Sequence, residues 1–206
     1  ITSITNDAPT VFPLGETIVT WTATDSSGNS SSATQTITVV DTTSPTIIAP
    51  VNVEVEATSM ENNLAEFGFA EASDQVEITT ITNDAPTVFP LGETIVTWTA
   101  TDSSGNSASA TQIITVVDTT APVIITPENI ITDAVNTETL LEIGLASVND
   151  IIDDTPTITN DAPEVFPLGE TIVTWTATDK FGNMSSSLQT ISVQTCGNDP
   201  LSYNLI

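Results

Sequence analysis

The chain has 206 residues, enough for one to three domains, and 39% of them are hydrophobic, enough to form buried cores. Its 27 acidic residues are opposed by one basic residue, Lys180, so the formal net charge is −26. Nucleic acids and anionic membrane surfaces are excluded as partners, because binding them requires lysine or arginine to replace counterions. No stretch approaches the roughly 18 consecutive apolar residues of a membrane span.

A near-identical segment occurs three times along the chain. Residues 5–25 read TNDAPTVFPLGETIVTWTATD, residues 82–102 repeat this without a change, and residues 159–179 repeat it with one change, Glu164. Both offsets are 77 residues (82 − 5 and 159 − 82). Such regular self-similarity predicts tandem copies of one structural unit.

An acidic joint marks the start of each unit. DTTSP begins at Asp41 and DTTAP begins at Asp118, again 77 residues apart (118 − 41). The part before the first joint matches only the second half of a unit, and the last residues match nothing else in the chain. The predicted organisation is a half unit, two complete units and a different segment or tail: 1–40, 41–117, 118–195 and 196–206.

Short β-strands are predicted in chain order through each complete unit. In the first, four are expected before the repeated segment, at residues 46–48, 51–55, 65–69 and 76–81. Residues 94–101 then alternate between apolar residues and threonine, which is typical of a half-buried strand. A glycine-containing turn at 102–106 joins it to an apolar strand at 113–117, forming a hairpin. The second unit repeats this layout, with strands expected within 140–145 and 155–158.

This pattern predicts an all-β fold of tandem sandwich or barrel domains, since no stretch has a helical period. One large aromatic ring per unit is expected to anchor a small core, because small domains bury little surface. These core residues are Trp21, Trp98 and Trp175.

The stretch FPLGETIVTWTATDSSGNSASATQIITVVDTTAPVI resembles the hyalin repeat (HYR) family. The hallmark of that family runs from a Pro-x-Gly turn, through VTxTATDxxGN, to a closing VxDxxxP joint. The resemblance implies tandem immunoglobulin-like β-sandwich domains of a large extracellular or cell-surface protein linked to adhesion. Many members carry a cysteine where Trp98 lies and a second near residues 110–112, and both are absent here. Acidic, cysteine-free copies look more like a prokaryotic adhesin, S-layer component or filament.

Catalysis is not expected. The chain has no histidine, and its one cysteine, Cys196, lies outside the repeats, where it is either free or paired with another chain. A serine nucleophile would need a positioned base, and a catalytic carboxylate pair would recur in every unit.

Recurring acidic and amide residues are candidate ligands for a metal ion. A compact chain with this charge repels itself, and bound cations or screening salt would offset the repulsion. Ca²⁺ is the candidate cofactor because it prefers carboxylate and carbonyl oxygens, and loops at one end of a sandwich can converge on it. The alternative is that these residues only stabilise turns, as we also expect for the TNDAP loop. The candidate ligands are Asp25, Asp41, Asp102, Asp118 and Asp179, with Asn29, Asn106 and Asn183 as weaker ones.

Two of these asparagines, Asn29 and Asn183, also begin N-glycosylation sequons in the exposed hairpin turn. Short sequons arise often by chance, so a plain turn residue is the competing interpretation.

The leading functional hypothesis is a structural or adhesive extracellular repeat module that forms a stiff stalk, a surface layer or a filament. Its partners would be neighbouring repeats or copies of the same protein. One alternative is a module that binds a cell-surface glycan or protein through its loops. Another is a self-assembling subunit in which strand addition from a neighbour completes the half unit, the competing explanation being an arbitrary cut in a longer protein.

Overall fold

A computed structural model describes residues 1–134 and 139–195, which form β-strands, turns and loops without a helix. The all-β fold class is confirmed, whereas Cys196 and the predicted tail lie outside the described residues. The strands are β1 (Ser3–Asn6), β2 (Gly15–Thr24), β3 (Ser30–Val39), β4 (Thr46–Ile48), β5 (Val53–Glu56), β6 (Glu71–Ser73), β7 (Ile78–Asn83), β8 (Gly92–Asp102), β9 (Ser107–Val117), β10 (Val123–Ile125), β11 (Ile130–Asp133), β12 (Ser147–Asn149), β13 (Thr157–Asn160), β14 (Gly169–Thr178) and β15 (Met184–Gln194).

The chain divides into two compact units by its internal contacts. Unit 1 comprises Ile1–Asn52, Glu66–Pro86 and Ile95–Ile113. Unit 2 comprises the described residues of Val53–Ala65, Thr87–Thr94 and Ile114–Ile206. The repeat boundaries inferred from the sequence stay a prediction.

Unit 1 contains the three-stranded antiparallel sheet β1-β2-β3 and the antiparallel pair β4-β6. It also contains β7, which pairs with β8 in antiparallel register, with an irregularity between Ile78 and Thr80.

Unit 2 contains the antiparallel pair β10-β12 and the four-stranded sheet β11-β15-β14-β13, in which β11 runs parallel to β15. The end of β9 pairs with β5 in the same parallel manner, from Val53 opposite Ile114 to Glu56 opposite Val117. The strand order β5-β9-β8-β7 thus matches β11-β15-β14-β13. A four-stranded sheet with a two-stranded partner defines the immunoglobulin-like β-sandwich of each complete repeat.

Alternation along the repeated strand places the core where the sequence predicts it. In β14, Val173, Trp175 and Ala177 are buried, and Phe166 and Ile191 complete the buried cluster around the indole. Equivalent residues of β8 are buried in the same alternation.

The prediction that each tryptophan anchors a core is confirmed for Trp98 and Trp175, which are 3% and 4% exposed, but is wrong for Trp21, which is 41% exposed. The ring of Phe67 packs edge-on against Trp98 with centroids 6.0 Å apart, and residues 1–40 supply no equivalent of Phe67.

A buried hydrogen-bond chain starts at each core indole. Trp175 Nε1 donates to Gln189 Oε1 at 3.0 Å, and Gln189 Nε2 donates to the carbonyl oxygens of Glu128 at 2.8 Å and Ile143 at 3.0 Å. Gln189 is fully buried, so its amide satisfies main-chain groups that would otherwise lack a partner. This Trp–Gln bridge fixes the segment between β11 and β12 against the hairpin.

Unit 1 contains the same bridge. Trp98 Nε1 donates to Gln112 Oε1 at 3.1 Å, and Gln112 Nε2 donates to the carbonyl oxygens of Val51 at 2.6 Å and Phe67 at 2.8 Å.

The strands expected at residues 65–69 and 140–145 do not form, and the corresponding strands are β6 and β12. Gly68 and Gly144 interrupt the extended backbone with φ of +78° and +86°. A Cβ at Gly144 would lie 3.0 Å from Pro127 Cβ, so a side chain is excluded there by space as well as by conformation. Because Gln side chains occupy the carbonyl oxygens of Phe67 and Ile143, these segments pack beside the sheet without a ladder partner.

Replacement of Gln189 by Leu should lower the free energy of unfolding by about 3 kcal/mol, because the indole N–H and two carbonyl oxygens lose their partner inside the core. Equilibrium urea unfolding followed by tryptophan fluorescence measures this loss. The matched control is Gln35→Leu, since Gln35 accepts the same indole hydrogen bond from Trp21 at 3.0 Å but is exposed. Equal losses in the two variants would contradict the structural role of the bridge.

Candidate metal centre

Three aspartates from three loops converge twice in the structure. In each group one carboxylate oxygen per residue lies within 4.8 Å of the others. We call these groups the first and second acid triads: Asp41, Asp74 and Asp102 in unit 1, and Asp118, Asp150 and Asp179 in unit 2.

Strand pairing explains why the second acid triad assembles. Asp179 begins the hairpin turn between β14 and β15, and Asp118 lies in the joint before β10. Asp150 directly follows β12, whose last residue, Asn149, pairs with the first residue of β10, Val123. The joint and the end of β12 therefore lie at the same end of unit 2.

The sequence analysis thus identified two of the three members of each acid triad. Asp74 and Asp150 were missed because the segments that carry them are less similar than the hairpins. Asp150 lies 76 residues after Asp74 (150 − 74), out of step with the 77-residue period. The signal that could have found them is an aspartate a few residues beyond the glycine at positions 68 and 144.

The turn aspartate of the second acid triad is held by local hydrogen bonds. Asp179 Oδ1 accepts from the main-chain N–H groups of Phe181 and Asn183, each at 2.8 Å, and its Oδ2 accepts from Asn183 Nδ2 at 2.8 Å. Burial raises the pKa of Asp179, but the hydrogen bonds from the side chain and main chain of Asn183 outweigh it, so the pKa is lowered overall.

Asn183 also ties the turn to the joint, because its Nδ2 donates to the carbonyl oxygen of Asp118 at 3.0 Å. The side-chain nitrogens of Asn106 and Asn29 likewise donate to the carboxylates of Asp102 and Asp25. Metal ligation by these asparagines, and glycosylation of Asn29 and Asn183, stay predictions.

The joint aspartate of the second acid triad carries an unsatisfied oxygen. Asp118 is 7% exposed, its Oδ1 accepts from the main-chain N–H of Thr120 at 3.2 Å, and its Oδ2 has no hydrogen-bond partner. Burial raises the pKa of Asp118, and the negative charges of Asp150, Asp179 and Glu56 raise it further. A buried carboxylate oxygen without a partner is unfavourable unless a proton or a cation neutralises it.

The single lysine makes its described contacts with other groups. Lys180 Nζ donates to the carbonyl oxygen of Ile152 at 2.8 Å and contacts Met60 Sδ at 3.4 Å. Its main-chain N–H donates to Asp153 Oδ2 at 2.8 Å. The ammonium group is therefore committed to a carbonyl oxygen and a thioether rather than to the triad carboxylates.

Two other groups of predicted residues do not join an acid triad. Asp25 accepts hydrogen bonds from Ser27 and Asn29 within its own turn, and the Asn29 side chain is the largest cause of its lowered pKa. Among the residues that the structure describes, no further pair of acids converges on Asp25. In the TNDAP loop, Asp84 Oδ1 accepts from the main-chain N–H of Thr97 at 2.6 Å and fastens the loop to β8.

The sandwich and its repeated loops define a class of tandem β-repeat modules. Residues 40–116 match the HYR domain. The chain is 40% identical over 215 residues to hyalin of Strongylocentrotus purpuratus, covering 94% of this chain and 17% of that protein. It is 37% identical over 226 residues to hyalin of Lytechinus variegatus, covering 99% of this chain and 41% of that protein. The chain belongs to the HYR-domain family, as its motifs predicted.

The chain therefore spans only part of the length of these two relatives. Hyalins and HYR-domain proteins are extracellular or cell-surface proteins, and this chain is an extracellular repeat module. Within residues 1–134 and 139–195, no helix has the length and hydropathy that crossing a membrane requires.

Solved structures with a similar arrangement include cadherin-domain proteins. Drosophila N-cadherin EC1-4 is similar with a TM-score of 0.39 and 16% identity, over 90% of this chain and 59% of that one. The extracellular domain of protocadherin GammaB4 has a TM-score of 0.35 and 18% identity, over 93% and 41% of the two chains.

Replacement of Asp118 by Asn should raise the melting temperature in chelator by about 5 °C, because the buried negative charge is removed while the side-chain shape is kept. Differential scanning calorimetry in EDTA measures the change. Asp154→Asn is the matched control, because Asp154 is exposed and belongs to neither acid triad. A melting temperature of Asp118→Asn equal to or below that of the control would show that the carboxylate is not a source of strain.

Proposed function

We propose that this chain is a structural, adhesive repeat module of a cell-surface protein, and that Ca²⁺ bound at its acid triads stiffens the joints between repeats. The observation that carries the proposal is the recurrence of the same three-loop acid triad in both complete repeats. A site that recurs with the structural unit suits a mechanical role, since every added repeat adds length and one more stiffened joint.

The chemistry of the acid triads favours a hard cation. Three carboxylates whose oxygens lie within 4.8 Å repel one another, and no basic group described in the structure donates to them. Ca²⁺ accepts six to eight oxygen ligands at flexible angles, so it can bind three carboxylates from mobile loops and complete its shell with water. Mg²⁺ demands near-octahedral geometry and dehydrates reluctantly, which makes it the weaker candidate.

The position of the second acid triad gives the cation a mechanical consequence. Asp118 belongs to the joint itself, between the last strand of one repeat and the first strand of the next. A cation shared by Asp118, Asp150 and Asp179 would restrain the joint against two loops of the following repeat. Each restrained joint residue loses backbone freedom that it retains without the cation.

The composition supports a role without catalysis. The chain contains no histidine, and its lysine is engaged with Ile152 and Met60. Large single-sign charge keeps copies apart in solution and also makes the compact state depend on cations. Electron microscopy of the purified chain in Ca²⁺ separates a monomeric stalk from a filament or a surface layer, the two assemblies that the same modules could build.

Ca²⁺ should increase the maximum dimension of the chain and reduce its flexibility in small-angle X-ray scattering, and EDTA should reverse both changes. The double variant Asp41→Asn/Asp118→Asn is the control, because it removes the joint carboxylate from both acid triads. Its scattering should be the same with Ca²⁺ and with EDTA. An unmodified chain whose scattering does not respond to Ca²⁺ would contradict the stiffening role.

A further inference from the structure

We infer that the two acid triads are unequal cation sites, and that Glu56 is a positioning residue that makes the second acid triad the tighter one. This inference rests on the proposed function, because it concerns cation binding at the same sites. It concerns the difference between two groups that have the same three aspartates.

The joint aspartates of the two triads differ in how far their carboxylates are already satisfied. Asp41 is partly exposed, its Oδ1 accepts from the main-chain N–H of Thr43 at 3.0 Å, and its Oδ2 accepts from Asn106 Nδ2 at 3.4 Å. In the second acid triad, Asn183 Nδ2 reaches the main-chain carbonyl oxygen of Asp118, and Asp118 Oδ2 is left buried without a partner. A cation therefore relieves a larger unfavourable term at Asp118 than at Asp41.

Glu56 accounts for the position of Asp118. Its Oε1 accepts from the main-chain N–H of Thr119 at 2.9 Å and from Thr120 Oγ1 at 2.7 Å, and its Oε2 accepts from Thr119 Oγ1 at 2.6 Å. These hydrogen bonds, with that from the Thr119 side chain the largest cause, lower the pKa of Glu56. One ionised carboxylate thus clamps both residues that follow Asp118.

The clamp reaches the metal ligand through Thr120. The hydroxyl of Thr120 is held by Glu56, while its main-chain N–H donates to Asp118 Oδ1. Because Oδ1 is fixed in this way, the second oxygen of the same carboxylate is also fixed, inside the acid triad rather than towards water. Binding then requires little further ordering of the joint, which is the general advantage of a preorganised site.

The first joint has the same threonines without the clamp. Thr42 and Thr43 follow Asp41 as Thr119 and Thr120 follow Asp118. Glu56 has no counterpart for them, because residues 1–40 contain no described carboxylate that accepts from either hydroxyl. The negative charge of Glu56 also raises the potential that favours a cation at Asp118. Both effects act on the second acid triad alone.

Isothermal titration calorimetry with CaCl₂ on the full chain tests the inference. The unmodified chain should show two classes of site that differ at least about tenfold in affinity. Asp118→Asn should remove the tighter class, and Asp41→Asn should remove the weaker one. Glu56→Gln should weaken the tighter class about tenfold and leave the weaker class unchanged, so that the first acid triad serves as an internal control in the same molecule.

Two further variants separate positioning from charge. Glu54→Gln removes the same charge from the same face of β5, but Glu54 is exposed and makes none of the contacts with the joint, so its affinities should match those of the unmodified chain. Thr120→Val keeps the charge of Glu56 and removes the hydroxyl that transmits its position, so it should weaken the tighter class as Glu56→Gln does.

The outcomes distinguish this inference from the proposed function. Absence of Ca²⁺ binding by the unmodified chain would overturn both. Two sites of equal affinity, or a Glu56→Gln variant indistinguishable from Glu54→Gln, would overturn the inference and leave the proposed function standing. A Thr120→Val variant with unchanged affinity would reduce Glu56 to a charge and overturn its positioning role.

Discussion

The structure of each complete repeat depends on the hydrogen-bond chain that runs from an indole, through a buried glutamine amide, to two main-chain carbonyl oxygens. Trp98 with Gln112 and Trp175 with Gln189 make the same connections. The hydrophobic ring drives burial, and the amide requires the covering segment to present its carbonyl oxygens in one register. With that segment fixed against the hairpin, the joint, the hairpin turn and the loop after the short second strand pair come to one end of the repeat.

This arrangement concentrates negative charge in a chain that has almost no positive charge to offset it. The turn aspartates are stabilised as anions by hydrogen bonds from their own turns, as the lowered pKa values of Asp102 and Asp179 indicate. Asp118 has no such compensation, and its raised pKa reflects burial together with three acidic neighbours. A fold that leaves this oxygen unsatisfied gains stability from a cation, and the same cation connects loops that the core alone would leave free.

How much of this could be read from the sequence depended on how strictly each part of the repeat is conserved between copies of the unit. The hairpin, with its alternation around Trp98 and its glycine turn, is copied almost unchanged, so its strands and two triad aspartates could be predicted. The first half of each unit is copied loosely, and Gly68 and Gly144 bend the backbone where apolar residues suggested strands. Asp74 and Asp150 lie in that half, and only the folded register brings them to the joint. Trp21 was misassigned because its burial depends on a covering segment that residues 1–40 do not contain.

The most direct test of the account is a crystal structure of the chain grown with CaCl₂, with anomalous difference density collected at long wavelength. The account predicts an anomalous peak in each acid triad, with oxygens of all three aspartates about 2.3–2.6 Å from it, the usual distance for Ca²⁺. Ordered triads that hold only water at millimolar Ca²⁺ would contradict it.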